Sequence, residues 1–155
     1  MSFTTQAPLG SFGDGEVESE LARVAAFRTE LRRFLRRTDV VTSRAGLTPQ
    51  RYDLLLMIRS ATSADTGEAG GVRVTELCEL LQLQQTAVTE LVKRAEEAGL
   101  VDRRPSREDG RVSLLRLTAE GERRLLDVFQ ALRDDRLALG ASFAELDQRF
   151  RATTE

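Results

Sequence analysis

From residue 17 to residue 45 apolar side chains return at helical spacing. Val17, Leu21, Val24, Leu31 and Leu35 form the stripe, and Phe27 and Phe34 widen it. Neither Gly nor Pro interrupts the run before Gly46, so the pattern predicts one long helix. Thr48 and Pro49 mark a fresh start. A threonine oxygen accepts an orphan N–H at a helix entrance, and proline's fixed φ suits the first turn. Leu54, Leu55, Met57 and Ile58 supply the buried face of that second helix, and SADTGEAGG (63–71) breaks the pattern as a turn-rich linker.

The pattern then shortens. VRV (72–74) is a brief β signal. TELCELLQ (75–82) follows as a helix, with Thr75 as its N-cap and Leu77, Leu80 and Leu81 inward. A break at LQLQQ leads into a helix over 86–100, with Ala87, Val88, Leu91 and Val92 on one side and Gly99 at its end. LVDRR and RVSLLRLT are two β-prone runs joined by PSREDG, whose Asp109-Gly110 pair is a strong hairpin turn signal. Thr118 caps another helix, with Glu120 and Glu122 near its positive end. Leu125, Leu126, Phe129, Leu132, Leu137 and Leu139 carry it to Gly140. Ser142 and Glu145 then read as a capping box for a last helix bearing Phe143, Leu146 and Phe150. The leucine and phenylalanine stripe of 125–150 is expected to be core. The class is mainly α with a small β-wing.

Composition narrows the chemistry. A chain of 155 residues is a comfortable single-domain length, long enough to bury roughly 70% of its unfolded surface. It has no histidine, one cysteine (Cys78) and one lysine (Lys93). That excludes a Ser-His-Asp triad, a Cys-His pair, an internal disulfide and an ordinary zinc site. With no paired-acid motif either, the chain reads as a non-enzyme without cofactor or metal. Cys78 is expected as a small core residue, and Tyr52 and Phe27 likewise as core. No run approaches the ~18 apolar residues of a membrane helix, and MSFTTQAPLGSFGDGE lacks the basic and apolar regions of a secretory signal. The expectation is a cytoplasmic protein with no membrane partner, whose residues 1–16 form a flexible arm.

The net charge of −2 conceals local asymmetry: residues 21–45 carry seven arginines against two acids, and residues 103–111 carry four against two. The arginines of 21–45 read chiefly as a solvated helix face. Those of 103–111 sit on a hairpin. Two short helices separated by a few residues and followed by a hairpin make a winged helix-turn-helix, with the second helix as the reading helix. Its expected solvent face holds Gln84, Gln85, Thr86, Thr89, Glu90 and Lys93. Glutamine can bond adenine N6 and N7 bidentately, and threonine offers a hydroxyl and a methyl. Arginine at a thin hairpin tip suits a narrow minor groove. Arg103, Arg104, Arg107 and Arg111 are therefore candidate DNA contacts beside a turn at Asp109 and Gly110. Arg103 and Arg104 point to opposite faces of a strand, so one is expected to reach phosphate and the other to pair internally.

LVDRRPSREDGRVSLLRLT resembles the wing of the MarR (multiple antibiotic resistance regulator) family, whose signature is a D-x-R followed by a helix-starting L-T pair. Here these are Asp109, Arg111, Leu117 and Thr118. LQQTAVTELVKRAEEAGLV is similar to the family's recognition helix, and the likeness spans roughly 17–150. The resemblance implies one domain over 17–155. Residues 17–46 and 119–155 would supply dimerisation helices, and 47–118 the winged DNA-binding lobe. It also implies a homodimer on double-stranded DNA at a pseudo-palindromic operator, usually a repressor, released by a small-molecule effector. Arg111 would be the wing-tip arginine. Glu90 departs from the family pattern, since it would repel phosphate unless it accepts from cytosine N4. The sensing cysteine and the zinc-binding histidines of particular family branches are missing. Wide apolar stripes on the first and last helices argue for pairing independently, because exposing them would exceed the ~300–600 Å² patch of an ordinary monomer. The alternative is a winged-helix protein-interaction module that does not bind DNA. It is favoured by the near cancellation of seven bases and six acids over 84–118.

Overall fold

The structure, a computed structural model, describes residues 14–64, 70–106 and 110–152. In chain order the elements are α1 (Asp14–Arg44), α2 (Pro49–Ala64), α3 (Val74–Leu81), α4 (Gln85–Glu97), β1 (Val101–Pro105), β2 (Ser113–Leu117), α5 (Ala119–Ala131) and α6 (Arg133–Ala152). The described residues fall into two compact units. One is Arg37–Arg133, and the other joins α1 up to Arg36 with the chain from Asp134 onward.

The first unit holds the apolar core. Leu54, Leu55 and Ile58 of α2, Leu77 of α3, Val88, Val92 and Ala95 of α4, Leu115 of β2 and Val128 of α5 are all fully enclosed. Each large side chain so buried contributes roughly 1.5–3 kcal/mol. Tyr52 belongs to this core and the half-buried Cys78 packs against it. The α1–α2 junction is closed at Gly46, whose φ of 69° is the left-handed conformation that ends a helix with least strain. Thr48 then receives the Arg51 N–H at 3.2 Å, as a cap should.

Several predicted details differ. Of the VRV segment only Val72 is β-like, bridging Leu115 through hydrogen bonds of 3.1 and 2.8 Å. α3 begins at Val74 with Arg73 as its cap, not Thr75, because the Glu76 carboxylate accepts the Arg73 N–H at 2.7 Å. Leu80 is exposed rather than inward, and so is Ala87. On α4 the buried positions are Val88, Val92 and Ala95, spaced four and three apart, and Ala87 lies off that line.

In the other unit, Phe27 of α1 meets Phe143 of α6 with ring centroids 6.0 Å apart and planes at 59°. Arg23 pairs with Glu20 and Arg33 with Glu30 one turn along the same helix, so two of the α1 arginines are engaged locally. The predicted division at Gly140 and the Ser142–Glu145 capping box do not occur. α6 runs unbroken from Arg133 to Ala152, and the break lies at Leu132. A glycine inside a helix costs only about 1 kcal/mol, and Asp134 and Asp135 favour a helix start in the first turn of α6. Nor is the 125–150 stripe uniformly core. Leu125, Val128 and Leu132 are buried, whereas Leu126, Phe129, Leu137 and Phe143 are exposed. Asp14 opens α1 inside the stretch expected as an arm, and residues 1–13 lie outside the described residues.

Candidate nucleic-acid interface

α3 and α4 are joined by Gln82, Leu83 and Gln84. The turn is tight because Gln82 adopts φ 54°, a left-handed conformation uncommon for a side-chain-bearing residue. Its side-chain amide donates to the Glu79 carbonyl at 2.7 Å and steadies it. Burial of Val88, Val92 and Ala95 then fixes the rotation of α4. Gln84, Gln85, Thr86, Thr89, Glu90 and Lys93 consequently all stand on the solvent side. Gln84 caps the helix through an extended backbone, and its side chain makes no cap hydrogen bond. No acidic residue occupies the first turn, so the positive end of the helix is uncompensated there. Among the described residues no carboxylate pairs with the Lys93 ammonium.

The hairpin follows at once. Gly99, at φ 69°, turns the chain from α4 into β1. β1 and β2 run antiparallel with Val101 opposite Leu117, Asp102 opposite Arg116 and Arg103 opposite Leu115. Beyond the ladder the Ser106 N–H donates to the Val112 carbonyl at 2.8 Å. Gly110 and Arg111 are exposed, while Arg107 and Asp109 lie outside the described residues.

Arg103 and Arg104 divide differently from expectation. Both are paired. Arg103 Nε donates to Glu96 at 2.8 Å, and Arg104 donates to Asp102 through Nε and a terminal nitrogen at 3.3 and 3.2 Å. They do diverge onto opposite faces of β1, but each face offers a carboxylate. The turn at Gly99 brings the last turn of α4 alongside β1, and Asp102 shares a face with Arg104 two residues on. The pattern of residues alone contains the Asp102–Arg104 spacing. The Glu96–Arg103 pair is hidden from it, because it depends on where the chain reverses.

The base of the hairpin is tied to the start of α5. The Thr118 hydroxyl donates to the Gly99 carbonyl at 2.7 Å and accepts the Gly121 N–H at 3.0 Å. The Thr118 N–H donates to the Leu100 carbonyl at 3.0 Å. One turn in, hydrogen bonds from Arg123 and then Arg124 hold the Glu120 carboxyl at about 2, from an ordinary 4.5. Among the described residues no cluster of three candidate ligands could hold a metal ion. No described helix is long and apolar enough to cross a membrane.

Residues 45–112 match the model of the MarR family. A comparison with curated protein sequences gives no significant match. Among solved structures, the chain is similar to a mutant form of E. coli MarR complexed with operator DNA, at 21% identity and a TM-score of 0.64, covering 87% of this chain and 94% of that one. It is similar to the YusO protein of Bacillus subtilis at 22% identity and a TM-score of 0.60, covering 92% and 96%. It is also similar to a mutant form of S. aureus MepR bound to an oligodeoxyribonucleotide, at 16% identity and a TM-score of 0.62, covering 84% and 91%. Residues 45–112 thus carry a sequence likeness to the MarR family through the helix-turn-helix and wing, and over most of its length the chain has the winged-helix fold of these solved structures.

Proposed function

We propose that this chain binds double-stranded DNA as a homodimer at a pseudo-palindromic operator, represses transcription there, and is released by a small-molecule effector. The observation that carries the reading is the polar ridge of α4, exposed along Gln84, Gln85, Thr86, Thr89 and Lys93 while its opposite side is locked in the core. Gln85 and Thr89 are one turn apart and face base edges together when the helix lies in a major groove. Arg111 enters the flanking minor groove, with Arg103, Arg104 and Arg107 toward phosphate and Asp109 and Gly110 forming the turn. Solved relatives crystallised with DNA support the reading. The protein acts in the cytoplasm and needs no cofactor.

The homodimer is supported by apolar side chains on α1 and α6 that stay largely exposed within their own unit: Leu21 and Leu137 are 63% and 59% exposed, and Phe143, although its ring meets Phe27, is 61% exposed. For the effector, a cavity of about 250 Å³ lies between α1 and α5, lined by Arg37, Val41, Arg44, Ala45, Asp127, Val128 and Ala131. Its lining is largely apolar, with two arginines against the single carboxylate of Asp127, which suits a small organic molecule bearing a negative charge.

Binding to the chain's own upstream DNA across a salt series tests the proposal. Each phosphate contact adds roughly −0.9 to the slope of log affinity against log salt. Arg111→Ala is expected to weaken binding with an unchanged melting curve. Affinity indifferent to salt sinks the DNA reading and leaves the protein-interaction module, which the neutralised Arg103 and Arg104 favour.

A further inference from the structure

We propose that Glu96 and Asp102 are built-in competitors for phosphate, which hold the arginines at the base of the wing and thereby suppress binding to arbitrary DNA sequence. The inference rests on the DNA-binding reading above and concerns how that surface discriminates.

Arg103 and Arg104 are adjacent cations at the foot of a hairpin, and each is held by its own carboxylate, Glu96 at 2.8 Å and Asp102 at 3.2 Å. These four side chains carry no net charge. The pairs are not deeply buried: Arg103 and Arg104 side chains are 39% and 65% exposed. An exposed ion pair of this kind is weak and exchangeable, so a well-placed phosphate can take the guanidinium over. The acids are not placed symmetrically. Asp102 presents one oxygen to Arg104, while its other oxygen is shielded from solvent and has no hydrogen-bond partner. Its cross-strand neighbour is Arg116, which is not bonded to it. Glu96 is offered by the last turn of the reading helix itself, and it reaches Arg103 only because Gly99 folds β1 back beside α4. Helix and wing thus share an electrostatic latch.

The consequence for recognition is a threshold. Non-specific association is dominated by cations that displace counterions from phosphate. With Arg103 and Arg104 occupied, the foot of the wing contributes little to it. At a matched site, contacts from α4 set the register, phosphates are held against the arginines, and the carboxylates are displaced. Two charges that would otherwise act everywhere act only where the docking is correct.

The test uses the full-length chain and two duplexes, its upstream DNA and a scrambled sequence of equal length, each titrated across a salt series. Glu96→Gln is expected to tighten binding to the scrambled duplex about two- to fivefold, the range set by the worth of an exposed ion pair. It should also steepen the salt slope by up to about 0.9, one phosphate contact. Asp102→Asn should act similarly through Arg104. The ratio of affinities, upstream over scrambled, should fall in both. Glu97→Gln makes the same charge change one residue along α4 and breaks no ion pair, so it should have a smaller effect. In an Arg103→Met background Glu96→Gln should lose its effect, as a coupled pair requires. The proposal is overturned if Glu96→Gln leaves scrambled-duplex binding unchanged, if Glu97→Gln matches it, or if the gain persists without Arg103. A wild-type chain that binds neither duplex at any salt overturns the DNA reading and this inference together. Wild-type binding with an inert Glu96→Gln overturns this inference alone.

Discussion

Gly121 is a residue whose smallness decides a junction. It lies in the first turn of α5, fully packed, and a Cβ built there would overlap the carbonyl oxygen of Leu100. That oxygen also accepts the Thr118 N–H, so it cannot retreat without losing a hydrogen bond. Gly121→Ala should therefore destabilise the fold by about 1–3 kcal/mol, the usual cost of overpacking a close contact. Urea denaturation of the variant measures this, and an unchanged midpoint would show that the junction yields freely. The need for glycine was not legible from the sequence. Position 121 fits an ordinary helical pattern, and the constraint comes from a backbone twenty-one residues earlier in the chain. The capping role of Thr118, by contrast, was legible, because a cap is chemistry between neighbours.

At the scale of elements, α5 opens on a compact charge cluster. Glu120 accepts from Arg123 at 2.8 Å and from Arg124 at 2.6 Å, and Arg124 also reaches the Gly46 carbonyl at 3.3 Å. In the unfolded chain Glu120 titrates near its ordinary 4.5, and in the folded one near about 2. The folded state therefore binds fewer protons between these values, and stability rises with pH across that window. The contribution is complete above 4.5 and is lost as pH falls toward 2. Glu120→Gln should give a flatter acid limb than wild type between those values, read from melting curves at a pH series. Parallel acid limbs would show that the cluster is fully screened. The same scale separates what pattern reveals from what it conceals. The long α1, the Pro49 start of α2, the reading helix and the hairpin follow from periodicity and turn chemistry. The start of α3 and the division between α5 and α6 do not. Arg73 caps α3 only by virtue of a carboxylate one turn inside it, and Gly140 sits in a helix that its neighbours can sustain. The reading face of α4 was legible residue by residue, since an amphipathic helix has one rotation that buries Val88 and Val92. The partners of Arg103 and Arg104 were not, since strand alternation gives direction but not what waits there.

At the scale of the whole molecule the exposed apolar side chains are the feature to test. Leu137 and Phe143 lie on α6, largely exposed, and in the dimer reading they meet a second copy. Leu137→Glu together with Phe143→Glu should convert a dimer to a monomer, seen as a halved mass in light scattering. Binding to upstream DNA should weaken by well over tenfold, because linked lobes raise each other's effective concentration. A variant that stays dimeric would place the pairing surface elsewhere. The single bridge at Val72 has a further consequence. By hooking the approach to α3 onto Leu115 it fastens the start of the helix-turn-helix to β2 of the hairpin through two backbone hydrogen bonds. In the DNA-binding reading, that fastening lets the hairpin serve as a gauge of groove width for the helices it is tied to.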